Sequence, residues 1–262
     1  MVSSITRRFN VFLLVALMVS LLGACVTTER GGVGTKADKA KALEYSLLLA
    51  RNYIRVGNWE AAKRHLKAAI EIDDSSAQVY EAMALVLQNT GEFSLAEENY
   101  KKSIKIDSRF SRVRNNYAAF LYQQHRYEEA VEQLELVVAD TLYNKRSSAY
   151  ISLGKSYRQL EKLPEAEQAF YRAHLMAPGN TALLFQLADI YFRLGQFPES
   201  QKYYDAYHSQ VKQQPASSLW LGIRLADKFG DNDSMSSYSL ALKNLYPRSK
   251  EYLEYREIFI ND

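Results

Sequence analysis

Apolar residues along most of this chain recur at spacings of three and four, which place them on one face of an α-helix. The apolar stripes come in pairs separated by short polar turns. In the first pair, the apolar positions are Leu49, Tyr53 and Val56 on one helix and Leu66, Ala69 and Ile70 on the next. Each helix would cover roughly a dozen residues, a common length in globular proteins. The pattern therefore predicts helical hairpins whose apolar faces pack against each other.

The hairpins repeat at a fixed interval. Residues 57–62 (GNWEAA) reappear 34 residues later as residues 91–96 (GEFSLA), and after another 34 as residues 125–130 (HRYEEA). After an insertion of two residues, the pattern returns as residues 161–166 (EKLPEA) and then as residues 195–200 (GQFPES). Self-similarity at a constant period is the signature of stacked repeats, each of which buries its apolar faces against its neighbours.

A period of 34 with these residues resembles the tetratricopeptide repeat (TPR). The resemblance implies an all-α fold over residues 43–262, a right-handed superhelix (α-solenoid) with a concave groove. It would contain about six helix-turn-helix repeats and a C-terminal helix that caps the open end. The expected repeats cover residues 43–76, 77–110, 111–146, 147–180, 181–214 and 215–248, and the cap covers residues 249–262.

Glycine and proline mark the turns of the hairpins. Gly57, Gly91 and Gly195 follow the first helix of their repeats, where a left-handed C-cap favours glycine. Pro164 and Pro198 fall where the second helix starts, the one helical place that tolerates proline. With only 11 glycines and 5 prolines in 262 residues, the composition argues against a disordered or loop-rich chain.

The first 25 residues are typical of a secretory signal. Arg7 and Arg8 precede the apolar run of residues 11–22 (VFLLVALMVSLL), in which only Ser20 is polar. A membrane-spanning helix needs about 20 apolar residues, so this run is too short to span a bilayer comfortably and indicates a signal peptide. The run ends in residues 22–25 (LGAC), which resemble the lipobox of bacterial lipoproteins.

The lipobox resemblance implies that residues 1–24 are removed and that Cys25, the only cysteine, becomes a lipidated N-terminus. Two or more acyl chains hold a protein firmly on a bilayer. By the same resemblance, Val26 in place of an aspartate favours transport to the outer membrane. Residues 25–42 would be a flexible tether, since residues 27–38 are polar and contain three glycines. The alternative is a plain signal peptide with an accidental cysteine.

Composition and charge narrow the possible functions. The chain is 47% hydrophobic and 24% charged, which is ordinary for a globular protein. Its formal net charge of +3 falls to +1 (3 − 2) when Arg7 and Arg8 leave with the signal peptide. A nearly neutral chain without a basic run is a poor candidate for nucleic-acid binding, so we expect no nucleic-acid partner. A single cysteine also excludes an intramolecular disulfide.

No motif in the sequence indicates catalysis or metal binding. The four histidines lie in different repeats and lack the spacing of metal ligands. The chain has no nucleophile elbow, phosphate-binding glycine loop or cysteine–histidine cluster. We therefore predict that the protein is not an enzyme and has no metal, cofactor or small-molecule substrate. The alternative, a periplasmic enzyme on a helical-repeat scaffold, would need a cluster of polar catalytic groups that the sequence does not display.

In TPR proteins the first helix of each hairpin lines the groove. Transferred to this sequence, that facing predicts a partner-binding groove formed by Arg51, Leu85, Asn115, Tyr122, Gln123, Ile151, Lys155, Arg158, Phe185 and Phe192. Leu47, Glu81 and Asp189 fall on the same faces. Aromatic residues and arginines on a solvated wall are what a hot spot for peptide binding requires. The alternative is that these side chains only pack between neighbouring repeats.

Several segments outside the generic repeat pattern resemble one family, the PilF/PilW pilotins of type IV pilus systems. They are residues 115–117 (NNY), 120–122 (FLY), 126–130 (RYEEA), 140–143 (DTLY), 221–226 (LGIRLA) and 245–247 (LYP). The resemblance implies a lipoprotein on the periplasmic face of the outer membrane, anchored through acyl chains on Cys25. Its partner would be the type IV pilus secretin, whose subunits it would bind, localise to the outer membrane and help to multimerise. The alternative is a TPR lipoprotein that serves as a scaffold for β-barrel assembly or for cell-wall enzymes.

Overall fold

Residues 35–260, which the computed structural model describes, form thirteen α-helices and contain no β-strand. The helices are α1 (Lys36–Arg55), α2 (Trp59–Ile72), α3 (Ala77–Asn89), α4 (Phe93–Ile106), α5 (Ser111–Gln123), α6 (Tyr127–Ala139), α7 (Arg146–Gln159), α8 (Leu163–Met176), α9 (Thr181–Arg193), α10 (Phe197–His208), α11 (Ala216–Phe229), α12 (Asn232–Leu245) and α13 (Lys250–Phe259). They pack as six consecutive pairs, α1 with α2 through α11 with α12, and α13 follows the sixth pair. The predicted all-α stack of six hairpins with a final capping helix is confirmed.

The pairs stack in chain order. Each second helix contacts the first helix of the next pair, and contacts also join α1 to α3, α3 to α5, α5 to α7 and α9 to α11. One apolar core runs from α1 into α8, and smaller clusters extend it to α13. Alanines at one recurring position are fully buried and let the paired helices approach closely: Ala62, Ala96, Ala130 and Ala166. The stacking therefore brings the first helices of neighbouring repeats side by side.

The turns inside the hairpins use the left-handed region of the backbone, as predicted. Gly57, Gly91 and Gly195 have φ angles of +72°, +83° and +74°. In the third and fourth repeats, His125 and Glu161 take the equivalent place with φ angles of 60° and 56°. The two prolines expected in the first turn of a second helix lie there, at the starts of α8 and α10. The hairpin geometry thus imposes this conformation even where the residue is not glycine.

We expect Gly91→Ala to lower the free energy of unfolding by about 1 kcal/mol, because an alanine side chain is sterically disfavoured at positive φ. A Cβ at this position meets no atom within 4 Å, so the expected loss of stability comes from the backbone conformation alone. Gly179→Ala is the matched control, since its Cβ also meets nothing within 4 Å and its φ lies outside the left-handed region. Urea denaturation of both variants checks the prediction. An equal loss of stability in the two variants would contradict it.

The start of α1 corrects the predicted tether. Residues 36–42, which were expected to be flexible, form the first two turns of the helix. Thr35 and Asp38 make a capping box, in which the Thr35 N–H donates to Asp38 Oδ2 at 3.0 Å and the Asp38 N–H donates to Thr35 Oγ1 at 3.2 Å. The box satisfies N–H groups that a helix start leaves without partners, and the alanines and lysines that follow are strong helix formers. Residues 1–34, with the predicted signal peptide and Cys25, lie outside the described residues.

The outer face of α1 corrects the predicted packing of the first hairpin. Leu49 is 43% exposed and Val56 is 70% exposed, although both were expected in the apolar stripe. The helix instead buries Leu47 and Ala50. At the position 34 residues after Leu49, Met83 is buried in the main apolar core. The first repeat has no preceding repeat in the described structure, so the corresponding face of α1 stays uncovered.

Candidate protein-binding groove

The first helices of the six hairpins share one face, which we call the groove face. Of the ten residues predicted to line a groove, Gln123 and Lys155 are exposed and the other eight are half-buried. Hydrogen bonds join neighbouring first helices along this face. Arg51 Nη2 donates to Gln78 Oε1 at 3.0 Å, and Gln88 Nε2 donates to Gln123 Oε1 at 2.9 Å. Some polar side chains of the groove face therefore bond neighbouring repeats to each other, as expected if these residues pack between repeats. The other side chains of this face remain accessible to a partner.

Two further residues that were expected on the groove are buried instead. Leu47 packs in the core of the first hairpins, and Glu81 is only 3% exposed. The Glu81 carboxylate accepts hydrogen bonds from Arg112 Nε at 2.8 Å, from Arg112 Nη2 at 2.6 Å and from Asn116 Nδ2 at 2.9 Å. The groove prediction was wrong for Glu81 because these side chains of α5 cover it, and wrong for Leu47 because its apolar side chain joins the core. Glu81 is thus a structural link between the second and third repeats.

Three predicted groove residues meet around one opening. A cavity of about 190 Å³ between α5 and α7 is lined by Ala118, Ala119, Tyr122, Gln123, Leu134, Ser152, Lys155 and Ser156. Its alanines and serines are small, which leaves the space open. The Tyr122 hydroxyl accepts a hydrogen bond from Gln159 Nε2 at 3.3 Å, so the tyrosine is held in place from the next repeat. A cavity with apolar walls and a few hydrogen-bonding groups is suited to a side chain of a bound segment.

A second group of groove residues gathers around Asp189 on α9. Arg158 Nη1 donates a hydrogen bond to Gln186 Oε1 at 2.7 Å and lies 3.8 Å from Asp189 Oδ2. Arg224 of α11 lies 3.9 Å from the other oxygen, Asp189 Oδ1. Both separations are too long for hydrogen bonds. The carboxylate therefore sits between two arginines from different repeats without binding either tightly.

Arg224 and Trp220 were not predicted as groove residues. The Arg224 guanidinium lies over the rings of Phe192 and Trp220, 4.5 Å and 5.3 Å from their centroids. Desolvation in this position lowers the pKa of Arg224. The sequence contained a usable signal, because Phe185 and Asp189 recur 35 residues later as Trp220 and Arg224. The sixth repeat was predicted, but the predicted groove positions ended with the fifth repeat, at Phe192.

Other kinds of site receive no support from the described residues. Within residues 35–260, no three histidine, cysteine, aspartate or glutamate side chains come together in a way that could hold a metal ion. In the same range, no helix combines the length and the apolar character needed to cross a bilayer.

Comparisons with known proteins agree with the repeat pattern. Models of the tetratricopeptide repeat match residues 44–68, 77–110, 121–181 and 157–219. The type IV pilus assembly protein PilF of Pseudomonas aeruginosa is 38% identical to this chain over 250 residues, which cover 95% of the chain and 98% of that protein. The chain belongs to the PilF family. The resemblance predicted from the sequence is thereby confirmed.

Solved structures show the same fold. The structure from the functional characterisation of Pseudomonas aeruginosa PilF matches with a TM-score of 0.73 and 39% identity, and covers 84% of this chain and 99% of that chain. The crystal structure of PilW, described as a widely conserved type IV pilus biogenesis factor, matches with a TM-score of 0.67 and 22% identity, over 81% of this chain and 97% of PilW. The TPR protein YrrB matches with a TM-score of 0.65 and 18% identity, over 74% of this chain and 98% of YrrB. At these identities, the similarity to PilW and YrrB supports only a shared fold, the TPR superhelix.

One segment that resembled the PilF family, residues 126–130, ties the second repeat to the third. Arg126 makes a bidentate pair with Glu97 through Nη1 at 2.7 Å and Nη2 at 2.9 Å. Glu97 also accepts a hydrogen bond from the Tyr117 hydroxyl at 2.8 Å. The hydrogen bonds that Glu97 accepts from Arg126 and from other donors lower the pKa of Glu97 to about 2. This PilF family segment therefore carries an ion-pair network that spans two repeats.

A second such segment, residues 140–143, contains the insertion that lengthens the third repeat. Asp140 accepts hydrogen bonds from the Ser111 hydroxyl and, at 3.0 Å, from the Leu142 N–H. Tyr143 packs against the main apolar core. Asp140 and Tyr143 thereby tie the inserted segment to α5 and to the core, whereas Leu142 between them is 92% exposed.

Proposed function

We propose that this PilF family member is a pilotin. It binds subunits of the type IV pilus secretin and promotes their localisation and multimerisation in the outer membrane, without catalysing a reaction. The observation that carries the proposal is the 38% identity to a type IV pilus assembly protein over 95% of the chain and 98% of that relative. A relationship that extends over nearly the whole length of both chains is not limited to a few generic repeats.

The chemistry of the groove face supports binding of a protein segment there. Tyr122 and Lys155 line a cavity, and the rings of Phe185 and Phe192 lie only half-buried on the neighbouring repeat. All these side chains project from packed helices, so the backbone loses little conformational freedom when a partner binds. Buried aromatic and arginine contacts dominate the affinity of most protein interfaces. The groove face therefore offers the residue types that a secretin segment would need.

A lipid anchor on Cys25 supports the transport step of the proposal. Residues 25–34 separate the anchor from Thr35, the residue that caps α1. Ten residues span at most about 35 Å when fully extended. The repeats would then stay near the inner surface of the outer membrane. A secretin subunit bound by them would be held at that surface at a raised effective concentration, which favours multimerisation.

Site-specific photocrosslinking in living cells tests the proposal. A photoreactive amino acid at Tyr122 or Arg158 is expected to crosslink to the secretin. The same amino acid at Gln168, which is exposed on the second helix of the fourth hairpin, is the control and is expected to give no secretin adduct. Absence of secretin adducts at both groove positions, or adducts only at Gln168, would contradict binding on the groove face.

A further inference from the structure

Arg224 carries hydrogen-bonding capacity that the described chain does not use. Its guanidinium stacks against Phe192 and Trp220, and its Nε is buried without a hydrogen-bond partner. The nearest carboxylate oxygen, on Asp189, is 3.9 Å away. A guanidinium has five N–H donors, and buried donors in native proteins are nearly always satisfied. An arginine that only neutralised Asp189 would be expected to approach within hydrogen-bonding distance.

The surroundings of Arg224 have an excess of positive charge. Arg158 lies 3.8 Å from Asp189, so two arginines face one carboxylate. The exposed Lys155 projects from the same groove face one turn before Arg158. These three cations and one anion leave a formal charge of +2 (3 − 1).

The other charged groups near Arg224 do not cancel this excess. Arg193 faces Arg224 but is paired with Glu161. Glu254 of the capping helix also faces Arg224 but is shared with Lys250, whose Nζ lies 3.3 Å from it. The groove face between α7 and α11 therefore presents an excess of positive charge beside aromatic rings.

We infer that this part of the groove face is a carboxylate-binding subsite, in which Arg158 and Arg224 recognise an acidic group of a bound protein segment beside Asp189. The inference rests on the proposed function, because it assumes that the groove face binds a partner protein. It adds that the bound segment of the partner must contain an acidic group. A planar guanidinium fits a carboxylate with two parallel hydrogen bonds. Stacking on Phe192 and Trp220 holds Arg224 in a fixed orientation before the ligand arrives. An apolar residue next to the acidic group would lie on Phe185 and Phe192.

Selection from a peptide library tests the subsite without using the secretin. Phage-displayed random dodecapeptides are selected on the immobilised mature protein, on Arg224→Gln and on Arg172→Gln. Arg172 is exposed on α8, so its substitution makes the same change of net charge away from the subsite. We expect the wild type and Arg172→Gln to enrich peptides with an aspartate or glutamate next to an apolar residue, and Arg224→Gln to lose the acidic preference. A wild type that enriches no acidic residue, or an Arg224→Gln variant that still does, would overturn the inference.

Synthetic peptides then distinguish the two sources of a carboxylate. The most enriched sequence is made with a C-terminal amide and its acidic side chain intact, and again with a free C-terminus and the acidic residue replaced by its amide. Fluorescence anisotropy is expected to show that Arg224→Gln weakens at least one form by about tenfold or more, the loss typical of a charged hydrogen bond. Arg224→Lys should keep part of the affinity, since it retains the charge and loses the planar geometry. Circular dichroism establishes that each variant is folded.

The outcomes separate this inference from the proposed function. If neither peptide form responds to Arg224→Gln or to Arg158→Gln in folded protein, the subsite does not exist as described. If the acidic preference depends on Arg224 but the groove gives no secretin crosslinks, the subsite stands and the proposed partner is wrong.

Discussion

Arg112→Ala is expected to lower the free energy of unfolding by about 2 kcal/mol, because it leaves the buried Glu81 carboxylate without its bidentate partner, a loss that solvent at the half-exposed arginine position reduces. Glu81 accepts two hydrogen bonds from Arg112, at 2.8 Å and 2.6 Å, and is 3% exposed. The Arg112 side chain itself is 40% exposed, so water that enters in its place offsets part of the loss. Asn116 would remain as a donor, and a single neutral donor does not compensate a buried negative charge.

Urea denaturation followed by circular dichroism measures this effect. Arg109→Ala is the matched control, since Arg109 is an exposed arginine just before α5, and we expect it to change stability by less than about 0.5 kcal/mol. The double variant Glu81→Leu with Arg112→Leu should recover much of the loss, because replacing both charges with apolar side chains removes the desolvation cost. Equal stabilities of Arg112→Ala and Arg109→Ala would show that Glu81 does not depend on its partner.

Cys25→Ser is expected to remove nearly all of the protein from the outer-membrane fraction. Each buried CH₂ of an acyl chain contributes about 0.8 kcal/mol to membrane binding, so two or more chains account for essentially the whole attachment. Without the thiol there is no acceptor for the lipid, and the variant should be found free in the periplasm or retained with its signal peptide at the inner membrane. Thr27→Ser, two residues further on, leaves residues 22–25 unchanged and serves as the control.

Membrane fractionation on a density gradient, followed by immunoblotting, distinguishes these locations. Metabolic labelling with a radioactive fatty acid should mark the wild type and Thr27→Ser but not Cys25→Ser. A Cys25→Ser variant that remained in the outer-membrane fraction would contradict lipid anchoring through this residue.

Much of the fold could be predicted because a solenoid is specified locally. Each repeat contacts only its neighbours, so the same interval that spaces the apolar stripes also spaces the helices. Gly91 and its equivalents mark turns whose backbone needs positive φ, and the structure shows that φ. The proline at the start of α8 marks a helix start in the same local way. Such signals depend on a few adjacent residues, and sequence alone contains them.

What the sequence did not reveal depends on contacts between repeats. Glu81 occupies a helix position that faces the groove in TPR proteins, but Arg112 and Asn116 from the next repeat cover it. Leu49 carries an apolar side chain at a position that is buried only where a repeat precedes it. Arg224 lies in the predicted sixth repeat, but its position on the groove face appears only when the sixth repeat is stacked on the fifth, where it meets Phe192 and Asp189. In each case the environment of the side chain is set by a neighbouring repeat, which the pattern of a single helix does not describe.

The most direct test of the proposed role is the amount of multimeric secretin in the outer membrane of a strain that lacks the gene. Heat-stable secretin multimers in purified outer membranes are compared by immunoblotting between the wild type, the deletion strain and the deletion strain complemented with the intact gene. The proposed role predicts that multimers vanish from the outer membrane of the deletion strain and return on complementation. Normal secretin multimers in the outer membrane of the deletion strain would contradict it.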